Sequence, residues 1–159
     1  MNPIELADEI AKYLKDVNKT YDSKEKQVEV ITGFIPDMIS SKDKKNLCPR
    51  IIVRPQEITD NYRDLSGGQT EVKMLITYLT YNEVAEDAYR LIYNWLEKNR
   101  MALLKKRHFG DCQMTMPLTT KILDEELQPR PMWGAYILAT YIGESIEEEG
   151  LITDDYGYE

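Results

Sequence analysis

One histidine, two cysteines and 28 carboxylates are the raw material for chemistry in this 159-residue chain. His108 lies just before Cys112, with Asp111 between them. A metal site recruits three or four ligands of His, Cys or carboxylate type, so a lone histidine beside one thiol falls short of a zinc site. A thiol nucleophile would have to be Cys48 or Cys112 paired with His108. No Gly-x-Ser-x-Gly elbow is present. Gly67-Gly68 follows a loop rather than a strand and has no Lys-Ser/Thr sequel, so it makes no phosphate loop. Asp124-Glu125-Glu126 reads as a polar turn. The expectation is a non-enzymatic protein with no catalytic residue, no metal and no cofactor.

Binding chemistry is better represented. Lys98, Arg100, Lys105, Lys106 and Arg107 gather between a helix and the strand that follows it. They suit a helix C-terminus, and they also suit an acidic partner: a neighbouring subunit, its tail, or passing DNA. Arg50, Arg54 and Arg130 are candidates for the same surface. Eleven tyrosines stand beside two phenylalanines. Tyrosine has an apolar body and a polar tip and favours interfaces, which points to an assembly. The candidate interface set is Arg50, Arg54, Lys105, Lys106, Arg107, Arg130, Trp133 and Tyr136.

The net charge of −8 narrows the partner class once it is located. Residues 144–159 carry seven acids and no base, which leaves residues 1–143 with 21 acids against 20 bases. The expected division is a folded domain over 1–143 and an acidic, flexible tail over 144–159. A nearly neutral domain is a poor grip for phosphate. No stretch approaches the roughly 20 apolar residues that span a bilayer, so no membrane partner is expected. Met1-Asn2-Pro3-Ile4 lacks the basic and apolar regions of a secretory signal, so cytoplasmic synthesis and free thiols are expected.

The elements that must position these residues follow from periodicity. Asn2-Pro3-Ile4-Glu5 has the residues of a capping box, and Ile4, Ala7, Ile10, Ala11, Leu14 and Val17 recur at helical steps toward Asn18. Residues 18–27 read as a loop. Val28 and Val30 suggest a short strand ending by Pro36. Residues 40–46 read as a second loop. Pro49 and Pro55 bracket the strand Arg50-Ile51-Ile52-Val53-Arg54, since proline cannot donate to a ladder. A third loop is expected from Asp60 to Gln69.

Thr70–Tyr81 is the clearest strand. Val72, Met74, Ile76 and Tyr78 form one face, and the other turns apolar at Leu75 and Leu79, as in a central strand. Asn82 caps the next helix, with Val84, Ala88, Leu91, Ile92 and Trp95 on its stripe and an end near Asn99 or just past Met101. Residues 111–123 alternate again, and Pro117 implies an edge, a bulge or a break. Gln128-Pro129-Arg130-Pro131 is a stiff connector into a final strand, Met132–Ile142. The fold class expected is α+β: a single small domain with a mostly antiparallel or mixed sheet of four to five strands and two main helices packed on one face.

Three segments carry a resemblance: Pro49-Arg50-Ile51-Ile52-Val53-Arg54, then Thr70–Tyr81 running into the helix from Glu83, then Gln128-Pro129-Arg130-Pro131-Met132-Trp133-Gly134. In order and spacing, across about residues 3–143, the chain resembles the tail terminator (tail completion) proteins of long-tailed bacteriophages and phage-tail-like particles. The resemblance implies a small domain that assembles as a hexameric ring, caps the finished tail tube and offers a docking surface to the head-side neck. It implies as partners other copies of the chain, the tail tube protein, and a sheath or neck protein. Genomic DNA would pass through the ring without sequence-specific binding, and the protein would reside in the virion. The 60–69 segment and the acidic tail have no counterpart in that pattern. Rival expectations are another neck or head-completion protein, a small accessory enzyme, and an adaptor whose acidic tail meets a basic partner.

Overall fold

The computed structural model describes residues 1–20, 27–37, 40–64 and 67–144. Helix α1 spans Pro3–Val17 and begins as its sequence dictates. The Glu5 N–H donates to Asn2 Oδ1 at 2.9 Å, and the Asn2 N–H donates back to the Glu5 carboxylate at 3.2 Å. Leu6, Ala7, Ile10, Ala11 and Leu14 form its buried stripe, and Asn18 closes it.

The remaining elements are β1 (Glu29–Thr32), α2 (Ser41–Leu47), β2 (Arg50–Asp64), β3 (Gly67–Tyr81), α3 (Ala85–Lys105), β4 (His108–Phe109), β5 (Cys112–Ile122), a 3-10 turn (Glu125–Leu127) and β6 (Met132–Glu144). They form one sheet in the order β1-β2-β3-β6-β5-β4. The β1–β2 pair is parallel and the other pairs are antiparallel, so the sheet is mixed and the fold class is α+β. Helices α1 and α3 pack on one face. Helix α1 touches β1, β2 and also β4, so both sheet edges curl toward it.

Several expectations are corrected. The sheet has six strands rather than four to five, because the two residues of β4 pair back onto β5. A third helix, α2, stands where a loop was expected. The Ser40 hydroxyl accepts from the Asp43 N–H, and Asp43 accepts from the Ser40 N–H, which caps a seven-residue turn that buries Leu47. The loop expected over 60–69 is largely strand: Asp60 pairs with Thr70, Asn61 with Gln69 and Tyr62 with Gly68. Weak β propensity there is overridden by the ladder, and Thr70 Oγ1 donates to Asp60 Oδ1 at 2.6 Å.

Strand β2 also runs through Pro55 instead of stopping there. Strand β1 pairs only as far as Val53, so at Pro55 one side of β2 is an open edge that needs no donor. A bulge follows at once, between Pro55 and Glu57. Pro117 likewise sits inside a bulge, between Thr115 and Thr119. The flexible tail expected over 144–159 lies outside the described residues except for Glu144, which pairs with Gln69 at the end of β6.

The main core lies between the sheet and helices α1 and α3. Met74, Ile76 and Tyr78 of β3 and Ala135, Ile137, Ala139 and Tyr141 of β6 face the helices and are fully buried. Trp95 of α3 meets Tyr78 edge-on, with ring centroids 5.2 Å apart. Asn18 and Asn99 lie buried in this apolar setting and satisfy one another. Asn18 Nδ2 donates to Asn99 Oδ1 at 2.8 Å, and the Trp95 indole N–H donates to Asn18 Oδ1 at 2.8 Å. Asn99 Nδ2 turns back to the Trp95 carbonyl at 2.9 Å.

The Tyr78 and Tyr141 hydroxyls are buried without a hydrogen-bond partner among the described residues. Burial pushes both phenols up, helped by Tyr141 in the case of Tyr78 and by Tyr13 in the case of Tyr141. A tyrosine in the unfolded chain ionises near pH ~10, so above that pH the unfolded state releases protons that the folded state keeps. Their contribution to stability is therefore whole below pH ~10 and falls as the pH rises beyond it. An alkaline titration of phenolate absorbance should show two of the 11 tyrosines silent until circular dichroism reports unfolding. Ionisation of all of them in a still-folded protein would contradict this burial.

Candidate assembly interface

The residues with chemical potential do not converge. Cys112 is buried, and burial raises its thiol, the opposite of an activated nucleophile. Its thiol donates to Asp111 Oδ1 at 3.7 Å. Hydrogen bonding to the N-terminal ammonium holds the Asp111 carboxyl below the usual carboxylate range. Cys48 is buried in a different cluster on the other side of the sheet. Among the described residues, no group of three His, Cys, Asp or Glu could hold a metal ion. No helix among them is long and apolar enough to cross a membrane.

Two hollows are open to solvent. One, of about 530 Å³, is lined by Lys44, Glu125, Glu126, Gln128, Pro129 and Arg130. The other, of about 360 Å³, lies on the helix-free side of the sheet over the bulges of β2 and β5, among Glu57, Lys73, Thr119, Leu138 and their neighbours. Neither holds a histidine or a thiol. Glu57 and Lys73 stand 4.0 Å apart there, a half-exposed ion pair of small energetic weight.

The helix-free sheet face has a more informative composition. Register places Arg54, Leu75, Leu138 and Thr119 side by side across four strands. The next row is Ile52, Thr77, Tyr136 and Lys121. At one end α2 covers this face: Leu47 and Cys48 pack on Ile52, Leu79 and Met132, with Ile31 and Tyr81 at the margin. Beyond α2, Leu75, Tyr136 and Leu138 remain half-buried, with no element packed over them among the described residues.

The eight candidate interface residues fall into three places. Arg50, Arg54 and Tyr136 share the helix-free face. Arg50 is committed to Glu29 at 2.6 Å and to the Leu47 carbonyl at 3.1 Å, where it ties β1 and α2 to β2. Arg54 lies over the Phe34 ring at 5.1 Å. Arg130 and Trp133 sit where β6 begins. The Trp133 indole N–H donates to the Asn82 carbonyl at 2.9 Å, and the Arg130 guanidinium covers its ring at 5.0 Å while bonding Glu125 at 2.9 Å. Lys105, Lys106 and Arg107 lie at the far end of α3, a helix about 30 Å long at 1.5 Å per residue. Lys106 caps the Tyr13 and Phe109 rings, and Arg107 donates to the Leu104 carbonyl at 2.9 Å. The basic residues therefore form no single surface.

Sequence reasoning left Leu138 and Lys121 out of the candidate set. The alternation of Leu75 and Leu79 signalled a second apolar face, but which leucine stays open depends on α2. The Ser40-x-x-Asp43 spacing could have revealed that helix. On the other side of the molecule, α3 buries Ala88, Ile92, Trp95, Leu96, Asn99 and Leu103, so Val84 and Leu91 lie outside the stripe expected for them. The flank of α3 turned away from the core carries Tyr89 and Tyr93, 61% and 51% exposed, with ring centroids 4.9 Å apart.

Neither a protein-family model nor a curated protein matches the chain. Among solved structures it is similar to a chain from the virion of a native gene transfer agent particle. Identity is 10% and the TM-score 0.47, over 88% of this chain and 95% of the other. A likeness of that depth carries no argument about function.

Proposed function

We propose that this protein is a non-enzymatic virion component that caps the end of a phage tail tube as an oligomeric ring and offers the capped end to the neck. The observation that carries the reading is the half-covered apolar strip on the helix-free sheet face, Leu75, Tyr136 and Leu138, with no histidine or thiol lining either of the two hollows described above. Apolar surface left open on one side of a two-layer domain favours contact with another protein. The three segments that resemble tail terminators support it as well, since they form adjacent strands β2, β3 and β6 at the centre of the sheet. A ring needs one heterologous contact repeated around an axis. Capping is then steric: the ring occupies the surface on which the next tube subunit would add.

The test is to determine the mass of the purified protein over a range of concentrations, then image it with tubes assembled from its own particle's tail tube protein. Six-fold rings confined to tube ends are expected. A protein that stays monomeric when concentrated and leaves tube ends bare would overturn the reading.

A further inference from the structure

We propose that the acidic segment following β6, residues 145–159, seats on the basic corner formed by Lys105, Lys106 and Arg107 of its own chain. The corner is charged one way. Residues 98–110 hold five bases and no acid. Lys105, Lys106 and Arg107 are all exposed, and none of them forms an ion pair among the described residues. The Lys106 ammonium rests on the Tyr13 and Phe109 rings. Arg107 donates to the Leu104 carbonyl through Nε, which leaves its terminal N–H groups to meet a carboxylate. Neighbouring charges do not cancel the corner. Asp111 is bonded to the N-terminal ammonium. Helix α1, which borders the corner at Tyr13, carries Asp8, Glu9 and Asp16 against Lys12 and Lys15, and Asp16 is bonded to Lys19. Residues 144–159, with seven acids and no base, are the complement.

Register puts the corner beside the end of β6. His108 pairs with Gln113, and Gln113 pairs with Ile142. The Met114 N–H donates to the Arg107 carbonyl at 2.7 Å, and Met114 pairs with Tyr141. Two inter-strand steps of about 4.8 Å and about three residues of strand rise therefore separate Arg107 from Glu144, roughly 14 Å in all. An extended chain covers that distance in about four residues. Glu147, Glu148 and Glu149 thus come within side-chain reach, and Asp154 and Asp155 have length to spare. A segment tethered this closely meets its own corner at an effective concentration on the order of millimolar, which selects its own chain over a second copy in dilute solution. Lys73 provides an internal control for mere reach. It pairs with Thr140 on the other side of β6 and is already held by Glu57 at 4.0 Å. It too lies roughly 14 Å from Glu144 by the same spacings.

The experiment treats the dilute full chain with a carbodiimide, which joins a lysine amine to a carboxylate in direct contact, and maps the products by mass spectrometry. A mixture of light and isotopically heavy protein separates links within one chain from links between chains. Links from Lys105 and Lys106 to the acids of residues 147–155 are expected within single chains. They should exceed those from Lys73 at least about fivefold, and fade in 1 M salt, where the Debye length is ~3 Å. Arg107→Glu keeps both lysines yet should lower their links by about threefold or more, since it puts a like charge beside the acids. If that variant shifts the urea unfolding midpoint, Arg107→Gln replaces it. Links spread evenly over Lys73 and the corner would show reach without preference and overturn the assignment. Links found only between light and heavy chains would seat the segment on a second copy and overturn it as well. So would the absence of links from Lys105 and Lys106 at low salt, or links unchanged by the Arg107 substitution.

Discussion

Asn18→Ala should lower the unfolding free energy by about 2–4 kcal/mol, a large share of the total for a domain of this size. Asn18 is the hub of a buried polar group inside an apolar core. Its Oδ1 accepts from the Trp95 indole at 2.8 Å and from Asn99 at 3.3 Å, and its Nδ2 donates to Asn99 at 2.8 Å and to the Leu14 carbonyl at 2.7 Å. Removing it takes away an acceptor from Trp95 and the two Asn18 contacts from Asn99, which is 0% exposed. The cost comes from desolvated groups left with fewer partners, which exceeds the net value of the bonds themselves. Asn18→Leu combined with Asn99→Leu should therefore cost less than the sum of the two single changes. Urea denaturation of the four proteins in the cycle measures this, and strict additivity would show that the residues do not act as one network.

Gln128→Ala should cost about 2–3 kcal/mol and loosen the start of β6. Gln128 is buried, and its amide bridges the two ends of the proline connector. Nε2 donates to the Leu123 carbonyl at 2.9 Å and to the Gly134 carbonyl at 3.1 Å, and Oε1 accepts from the Gly134 N–H at 2.7 Å. The side chain thus stands in for the ladder that β5 and β6 would otherwise need as they diverge. The tight neighbour of Gly134 is Leu123, whose Cδ1 would lie 3.3 Å from a Cβ there. Hydrogen exchange should report faster opening at Gly134 and its β6 neighbours in Gln128→Ala, with α1 protected nearly as before. A uniform change across the domain would show that the bridge has only a global role.

These two side chains mark where sequence and structure part. Asn18 reads along the chain as a helix cap, and Asn99 as a polar point where the apolar stripe of α3 should end. Neither residue reveals that the other is its partner, because 81 residues separate them and only the packing of α1 on α3 brings them together. Helix α3 runs on to Lys105, past the end expected near Asn99 or just past Met101, and buries Leu103 in its last turns. Gln128 similarly reads as part of a stiff linker, and its amide acquires a role only when Leu123 and Gly134 are fixed on either side of it. The proline-bracketed strand failed for the same kind of reason. Whether Pro55 ends a ladder depends on whether a neighbour sits beside it, and β1 stops two residues short.

By itself the sequence determined the α+β class, the capped first helix, the central place of β3 and an irregularity at Pro117, which it left open as an edge, a bulge or a break. Those follow from local propensity, from side-chain period and from the missing proline donor, all of which act over a few residues. It also showed that β3 has two apolar faces. The tertiary structure alone decided that α2 covers Leu79 and leaves Leu75 open, that the basic residues divide among the helix-free face, the start of β6 and the far end of α3, and that Arg50 is spent on Glu29 and Leu47. Surfaces are sums over elements distant in sequence, and strand order, register and curl set which of their residues meet.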